Sequence, residues 1–190
     1  MLDLMIDLET LGITPDSAIL TVGIAQFDIH SGEIGNTLYR VIDLKTSLDY
    51  GFKINADTLY WWLEQSDDAR RALVQEHNRE SIEQAMMSIR SFIVGCNNPQ
   101  HLRLWGNGPT FDNAMIRYTY EKVMLETFPI PFWKDRCVRT VKAFYPHNLW
   151  KKWQMKNLRT GTFHNALDDA KYQVKYLCHI LNALGVEEYY

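Results

Sequence analysis

With 190 residues, of which 46% are hydrophobic and 13% aromatic, the chain is sized for one domain over residues 1–190 with a substantial core, and no linker divides it. No run of about 18 apolar residues is present, which excludes a membrane-spanning helix. The net charge of −3 is not the footprint of a general nucleic-acid binder.

The first residues lack a basic-then-apolar leader, so no secretory signal is expected. Cys96, Cys137 and Cys178 are odd in number and far apart. They fit neither a disulfide framework nor a zinc site, and a reduced, cytoplasmic chain is expected.

From Leu2 to Glu9 apolar and polar residues nearly alternate, a strand period that puts Leu2, Leu4, Ile6 and Leu8 on one face and Asp3, Met5, Asp7 and Glu9 on the other. Asp7 and Glu9 then stand side by side, about 6.5–7 Å apart along the backbone. Two carboxylates so close mark either a solvated acidic face or a place where a cation lies between them. Leu11–Pro15 reads as a loop. Ile19–Ile29 and Ile34–Val41, joined by a turn over 28–33, read as two further strands, giving an antiparallel meander with the first. The stretch 43–55 reads as irregular.

Helices follow. Asp57 or Thr58 caps one that carries Trp61 and Trp62, Ser66–Gln75 is short and polar on one face, and Ser81–Val94 is amphipathic with a Ser81–Gln84 capping box. Leu102–Trp105 reads as a short strand. After Gly106-Asn107-Gly108-Pro109 a helix is expected over about 110–124, with Asp112 in its first turn. Residues 137–145 are ambiguous between strand and helix. From Lys134 to Arg159 eight basic residues face one acid, Asp135. This reads as a basic loop interleaved with aromatics, either solvated or placed to contact phosphates and bases.

His164–Leu184 reads as a long last helix. On its wheel Ala170, Val174, Leu177, Leu181 and Leu184 share a direction, Asp169 lies at the edge of that face, and Asp168 points to solvent. The sum is an α/β fold: a mixed β-sheet, antiparallel N-terminal meander plus parallel strands, flanked by α-helices.

A D-x-E strand (Asp7, Glu9), a mid-chain Asp112 opening a helix, and H-x-A-x-x-D (His164, Asp169) opening the last helix resemble, in order and context, the DEDDh family of 3′–5′ exonucleases. Trp61-Trp62, Trp105 through Asp112, and Phe132 through Thr140 are similar to the phage exonuclease A group and its bacterial exoribonuclease relatives. The resemblance runs from the first strand to the last helix and implies a ribonuclease H-like fold. It also implies two Mg²⁺ ions, for which Mn²⁺ can substitute, held by Asp7, Glu9, Asp112 and Asp169, with His164 as general base. Release of nucleoside 5′-monophosphates from DNA 3′ ends is then the first expectation and exoribonuclease action on adenylate-rich RNA the second, in a chain that pairs as a homodimer. Physical chemistry agrees: carboxylates about 5 Å apart repel by roughly 3 kcal/mol per pair at an effective dielectric of 20, and oxygen donors favour Mg²⁺ or Mn²⁺ over zinc.

For substrate contacts the same likeness points to Thr10 and Leu11 around the terminal nucleotide and to Asn107 as a hydrogen-bonding partner. Trp61, Trp62, Trp105 and Phe111 are candidates for stacking on bases, and Arg136, Arg139, Lys151 and Lys152 for upstream phosphates. Two other readings compete: a nucleic-acid-binding module without turnover, and a hydrolase of free nucleotides or very short oligonucleotides.

Overall fold

The computed structural model describes residues 1–73, 79–96 and 98–186. The N-terminal meander forms as expected from β1 (Asp3–Thr10), β2 (Ile19–Phe27) and β3 (Ile34–Ile42). Helices α1 (Leu44–Asp49), α2 (Ala56–Leu63) and α3 (Asp67–Leu73) follow, then the short strand β4 (Arg79–Glu80) and helix α4 (Ile82–Gly95). The last residues of the helix expected over 66–75 lie outside the described residues. The chain continues through β5 (Arg103–Gly106), α5 (Ala114–Met124), β6 (Asp135–Cys137), α6 (Val138–Ala143), α7 (His147–Lys156) and α8 (Ala166–Ala183).

The strands join in one sheet of order β4-β3-β2-β1-β5-β6. The β1–β2 and β2–β3 pairs are antiparallel, whereas β3–β4, β1–β5 and β5–β6 are parallel. β1 is therefore central, and its alternation divides two cores. Leu4, Ile6 and Leu8 pack with α4 and α5 on one face, while Met5 joins α6, α7 and α8 on the other. With both faces covered the solvated-edge reading of β1 fails. Asp3, only 1% exposed, is held by Arg103 on β5 through bonds of 2.6 and 2.7 Å and by the Trp105 indole at 2.7 Å.

At α4 and along most of α8 the expectations hold, whereas α2 is capped by Asn55, which accepts from the Thr58 amide at 3.0 Å, and not by Asp57 or Thr58. Ser81 and Gln84 close a reciprocal capping box at α4, and Ala170, Val174, Leu177 and Leu181 are the buried stripe of α8.

Other differences have physical causes. The segment 43–55 contains α1, started by the Asp43 carboxylate, which accepts from the Lys45 amide at 3.0 Å. The basic stretch is not a loop: Trp150 and Trp153 stack at 5.3 Å between α7 and α8, and that apolar stripe makes residues 147–156 helical. Asp168 does not point to solvent. It accepts from the Thr162 amide at 2.9 Å and fixes the loop before α8, while Leu184 falls outside the core.

Two glycines position the site. Gly23 on β2 pairs with Asp7 in the register, and a Cβ there would lie 2.2 Å from the Ala166 carbonyl carbon. Its absence lets the start of α8 rest on the sheet. At Gly106, which ends β5, a Cβ would meet the Asn113 side chain at 2.2 Å and the Asp112 Cβ at 3.0 Å.

Candidate active site

β1 delivers Asp7 and Glu9 to the sheet face beneath the start of α8. A register shift after Glu9, where Thr10 pairs with Ile19 rather than the next residue in step, ends regular pairing beside the carboxylates. Such irregularities are common next to active sites. Asp112 comes from the wide π-type turn Pro109–Asn113. Its carboxylate accepts from the Asn107 amide at 2.9 Å, and neighbouring Asn113 ties the turn to β5 by donating to the Leu104 carbonyl at 2.9 Å.

Asp169 lies in the first turn of α8, where Asn165 caps the helix by accepting from the Leu167 and Asp168 amides. His164 immediately precedes the cap with φ 61°. A non-glycine residue in this left-handed region is held there by its surroundings, and the ring stands edge-to-face against Trp61 at 5.1 Å and Trp62 at 5.7 Å.

Donor atoms of Glu9, His164 and Asp169 lie within 4.8 Å of one another. Burial, then the charges of Asp112 and Glu9, raises Asp7 well above the usual carboxylate range. Burial, then Asp112, takes Glu9 to about 8, and burial raises Asp112 to about 7 against the pull of the Asn107 amide. Asp7, Glu9 and Asp112 thus resist ionisation, and positive charge nearby would favour their charged forms.

Part of that charge is Arg159, from the loop before α8. It pairs with Asp169, donates to the Thr162 carbonyl at 3.2 Å and lies over Phe163 at 4.3 Å. One guanidinium does not balance four carboxylates. The residual excess, with oxygen donors and one imidazole, suits a divalent cation: Glu9, His164 and Asp169 could hold one, and Asp7 and Asp112 are the neighbouring carboxylates that could share in it.

The five residues expected to carry chemistry are thus brought together; the expected substrate contacts divide. A cavity of about 390 Å³ beside Glu9 is lined by Thr10, Trp62 and Phe111, together with Ile13, Thr58 and Trp61. The Thr10 hydroxyl donates to the Gly12 carbonyl at 2.7 Å, and the Trp62 indole donates to the Thr10 carbonyl at 2.9 Å, so both form walls.

Leu11 and Trp105 do not reach this cavity, which corrects both assignments. Leu11 is 4% exposed in the core under β1, and the apolar residue at the cavity is Ile13, 75% exposed. Trp105 is equally buried and its indole is committed to Asp3, because its register opposite Met5 places it in the core between the sheet and α8, away from the cavity. Asn107 contributes its backbone amide to Asp112. Arg136 donates to the Trp133 and Asp135 carbonyls at 3.1 and 2.9 Å, whereas Arg139 is exposed and lines a second cavity.

Sequence reasoning missed Gln173, which donates to Asp7 at 2.6 Å, and the inward turn of Arg159. Gln173 was within reach, since it lies one helical turn after Asp169 on the same face. Nothing in the sequence marks where the Arg159 loop folds.

Comparison with known proteins agrees with this geometry. Residues 2–181 match the family model described as the 3′–5′ exoribonuclease Rv2179c-like domain. An exodeoxyribonuclease of Enterobacteria phage T4 is 23% identical over 160 residues, covering 74% of this chain and 70% of that protein.

Among solved structures, the nuclease domain of 3′hExo, a DEDDh family member bound to rAMP, has TM-score 0.59 and 14% identity and covers 95% of this chain and 92% of its own. Pop2p of S. pombe, in a form with Mg²⁺ and Mn²⁺ bound, has TM-score 0.63 and 12% identity, covering 95% and 83%. At these identities the structural likenesses establish the ribonuclease H-like fold. The family match over nearly the whole length, with the aspartates, glutamate and histidine in place, shows that the chain belongs to the Rv2179c-like 3′–5′ exoribonuclease domain family and is a DEDDh-type 3′–5′ exonuclease.

Proposed function

We propose that the protein removes nucleoside 5′-monophosphates one at a time from single-stranded 3′ ends, with RNA as its first substrate. The observation that carries the chemistry is the donor cluster of Glu9, His164 and Asp169, with Asp7 and Asp112 close enough to Glu9 to raise one another's pKa, at the edge of a partly apolar cavity that Glu9 lines. Membership of an exoribonuclease domain family supports RNA. The phage exodeoxyribonuclease relative supports DNA as a second reading.

The terminal base would sit against Ile13, Trp61 and Phe111, in a cavity whose size falls at the low end of the about 300–1,000 Å³ range of small-ligand sites. That placement sets the last phosphodiester over the carboxylates. Two divalent cations held there by Asp7, Glu9, Asp112 and Asp169 would supply Lewis-acid charge at the phosphoryl oxygens and a more acidic water. His164 would take the proton from that water. Burial and the nearby Arg159 charge lower its pKa, which favours the neutral, proton-accepting imidazole at pH 7. Trp61 and Trp62 hold the ring in place, and Gln173 orients Asp7. Attack on phosphorus breaks its bond to the upstream 3′ oxygen, which takes a proton from solvent to become the new 3′-hydroxyl, and a nucleoside 5′-monophosphate is released.

The test is a paired time course with 5′-labelled RNA and DNA 20-mers of one sequence, in Mg²⁺ and in Mn²⁺. Faster 3′ shortening of RNA is expected. Faster shortening of DNA selects the second reading, and retention of both strands without shortening would mean a binding module.

A further inference from the structure

The turn that carries Asp112 separates two cavities. Phe111 lines the one beside Glu9, where the terminal base is placed. Thr110, one residue earlier, lines the other, a cavity of about 370 Å³ shared with Gly108, Arg139, Thr140 and Phe144. We propose that this second cavity binds the nucleotide immediately upstream of the scissile phosphate, with Arg139 on its phosphate and Phe144 stacked on its base. The proposal rests on the exonuclease reading and adds a nucleotide site on the far side of the turn.

The cavity offers what a nucleotide needs and little else: one guanidinium, two threonine hydroxyls and one open aromatic face. Phe144 follows the last turn of α6 and is 74% exposed, so its ring is accessible to a base at the edge of the cavity it lines. Arg139 is exposed on the same short helix and forms no ion pair among the described residues. Its guanidinium carbon lies 3.8 Å from where a Cβ on Gly108 would project, and Gly108 has φ 141°. The turn can therefore bring bare backbone to the ligand beside a cation. Arg139 is also close enough to Asp112 for its charge to oppose the rise of that carboxyl's pKa. The guanidinium thus sits within electrostatic reach of the reacting phosphate.

Placing consecutive bases on opposite sides of the Asp112 turn requires them to unstack. A paired end would have to fray by two nucleotides before it could be cut, which supplies a physical reason for single-strand preference.

The test uses 5′-labelled oligonucleotides that differ only at the penultimate nucleotide, which either carries its base or is abasic, with binding to the Asp7→Asn protein measured by fluorescence anisotropy alongside turnover by the protein with Asp7 intact. Phe144→Ala is expected to raise KM and Kd for the complete strand by about fivefold or more, the equivalent of one base–aromatic stack. On the abasic strand it should have no further effect, and Phe144→Trp should restore binding. Arg139→Gln should weaken both strands alike and reduce the slope of log Kd against log salt by about 0.7.

Equal losses from Phe144→Ala on complete and abasic strands, or no loss on either, would overturn the site. Base-dependent binding at this position without any shortening would uphold the site while removing the exonuclease reading.

Discussion

Gly23 is a place where the sheet dictates the chemistry, and Gly23→Ala tests whether it does. A Cβ on Gly23 would lie 2.2 Å from the Ala166 carbonyl carbon, 2.3 Å from the Leu167 nitrogen and 2.4 Å from the Ala166 oxygen. All three are backbone atoms, so no side chain can swing away. Ordinary contact begins near 3.4 Å, and α8 must therefore lift by about 1.2 Å or the sheet must yield by as much.

Overpacking of this kind costs about 1–3 kcal/mol, and in a chain of this length each kcal/mol lowers Tm by about 2–4 °C. The functional cost should be larger. Asp169 and His164 bracket Ala166, while metal ligands tolerate displacements of only about 0.2 Å. A misplacement of 1 Å in a catalytic group costs about 100-fold in rate. Thermal melts, calorimetric titration with Mn²⁺ and turnover of a labelled strand should therefore show a Tm lower by several degrees, Mn²⁺ affinity reduced at least about tenfold, and turnover reduced about 100-fold. Wild-type Tm together with wild-type Mn²⁺ affinity would refute the claim that the start of α8 is seated on Gly23.

The buried carboxyls make metal-free stability depend on pH. Glu9 near 8 and Asp112 near 7 both lie above their ordinary values of 4.5 and 3.8. The native state then holds protons that the unfolded state has released, and stability falls as pH rises between those limits. Melts in chelator should give a Tm that declines from about pH 5 to pH 8, with saturating Mn²⁺ removing most of the decline; a metal-free Tm that rises over this range would contradict the assignment.

Arg159→Gln removes the cation paired with Asp169. It should lower the metal-free Tm by about 2–4 °C, the effect of 1 kcal/mol, and tighten Mn²⁺ binding because no ion pair must be displaced, both read by melts and calorimetry. Asp3→Ala breaks a buried pair with Arg103, at a cost of about 3–5 kcal/mol. Its Tm should fall by more than about 5 °C with Mn²⁺ affinity unchanged, which separates this structural aspartate from the metal-binding ones.

What the sequence disclosed followed from periodicity. The alternation of β1 named the face that Asp7 and Glu9 share, and the α8 wheel chose Asp169 over Asp168 because a helix fixes side-chain direction within about 100° per residue. Outside regular elements that logic stopped. Leu11 and Ile13 are two residues apart in a loop, and only the fold shows that Leu11 turns under the sheet while Ile13 reaches the cavity. Trp105 resembled a stacking residue by its neighbours, yet the β5 register and a buried Asp3 claim it. Helix α7 was obscured by its polar residues: six of its ten are polar and exposed, and the packing of Trp150 and Trp153 on Tyr176 of α8, which anchors it, is a tertiary contact. Arg159 needed the loop path, and local sequence does not encode where a loop turns inward.

The central claim is that the carboxylates of β1, the Asp112 turn and α8 act together to cut the last phosphodiester. The most direct measurement is the product of a 5′-labelled strand incubated with Mn²⁺, resolved by size, for the wild type, Asp169→Asn and His164→Ala, with released mononucleotides identified by mass. The expected result is a ladder shortening from the 3′ end with nucleoside 5′-monophosphate as the small product. It should be lost with Asp169→Asn and slowed about 10²–10⁴-fold with His164→Ala, the range for removing a general base. Internal cuts, nucleoside 3′-monophosphates, or a ladder that persists in Asp169→Asn would contradict the account.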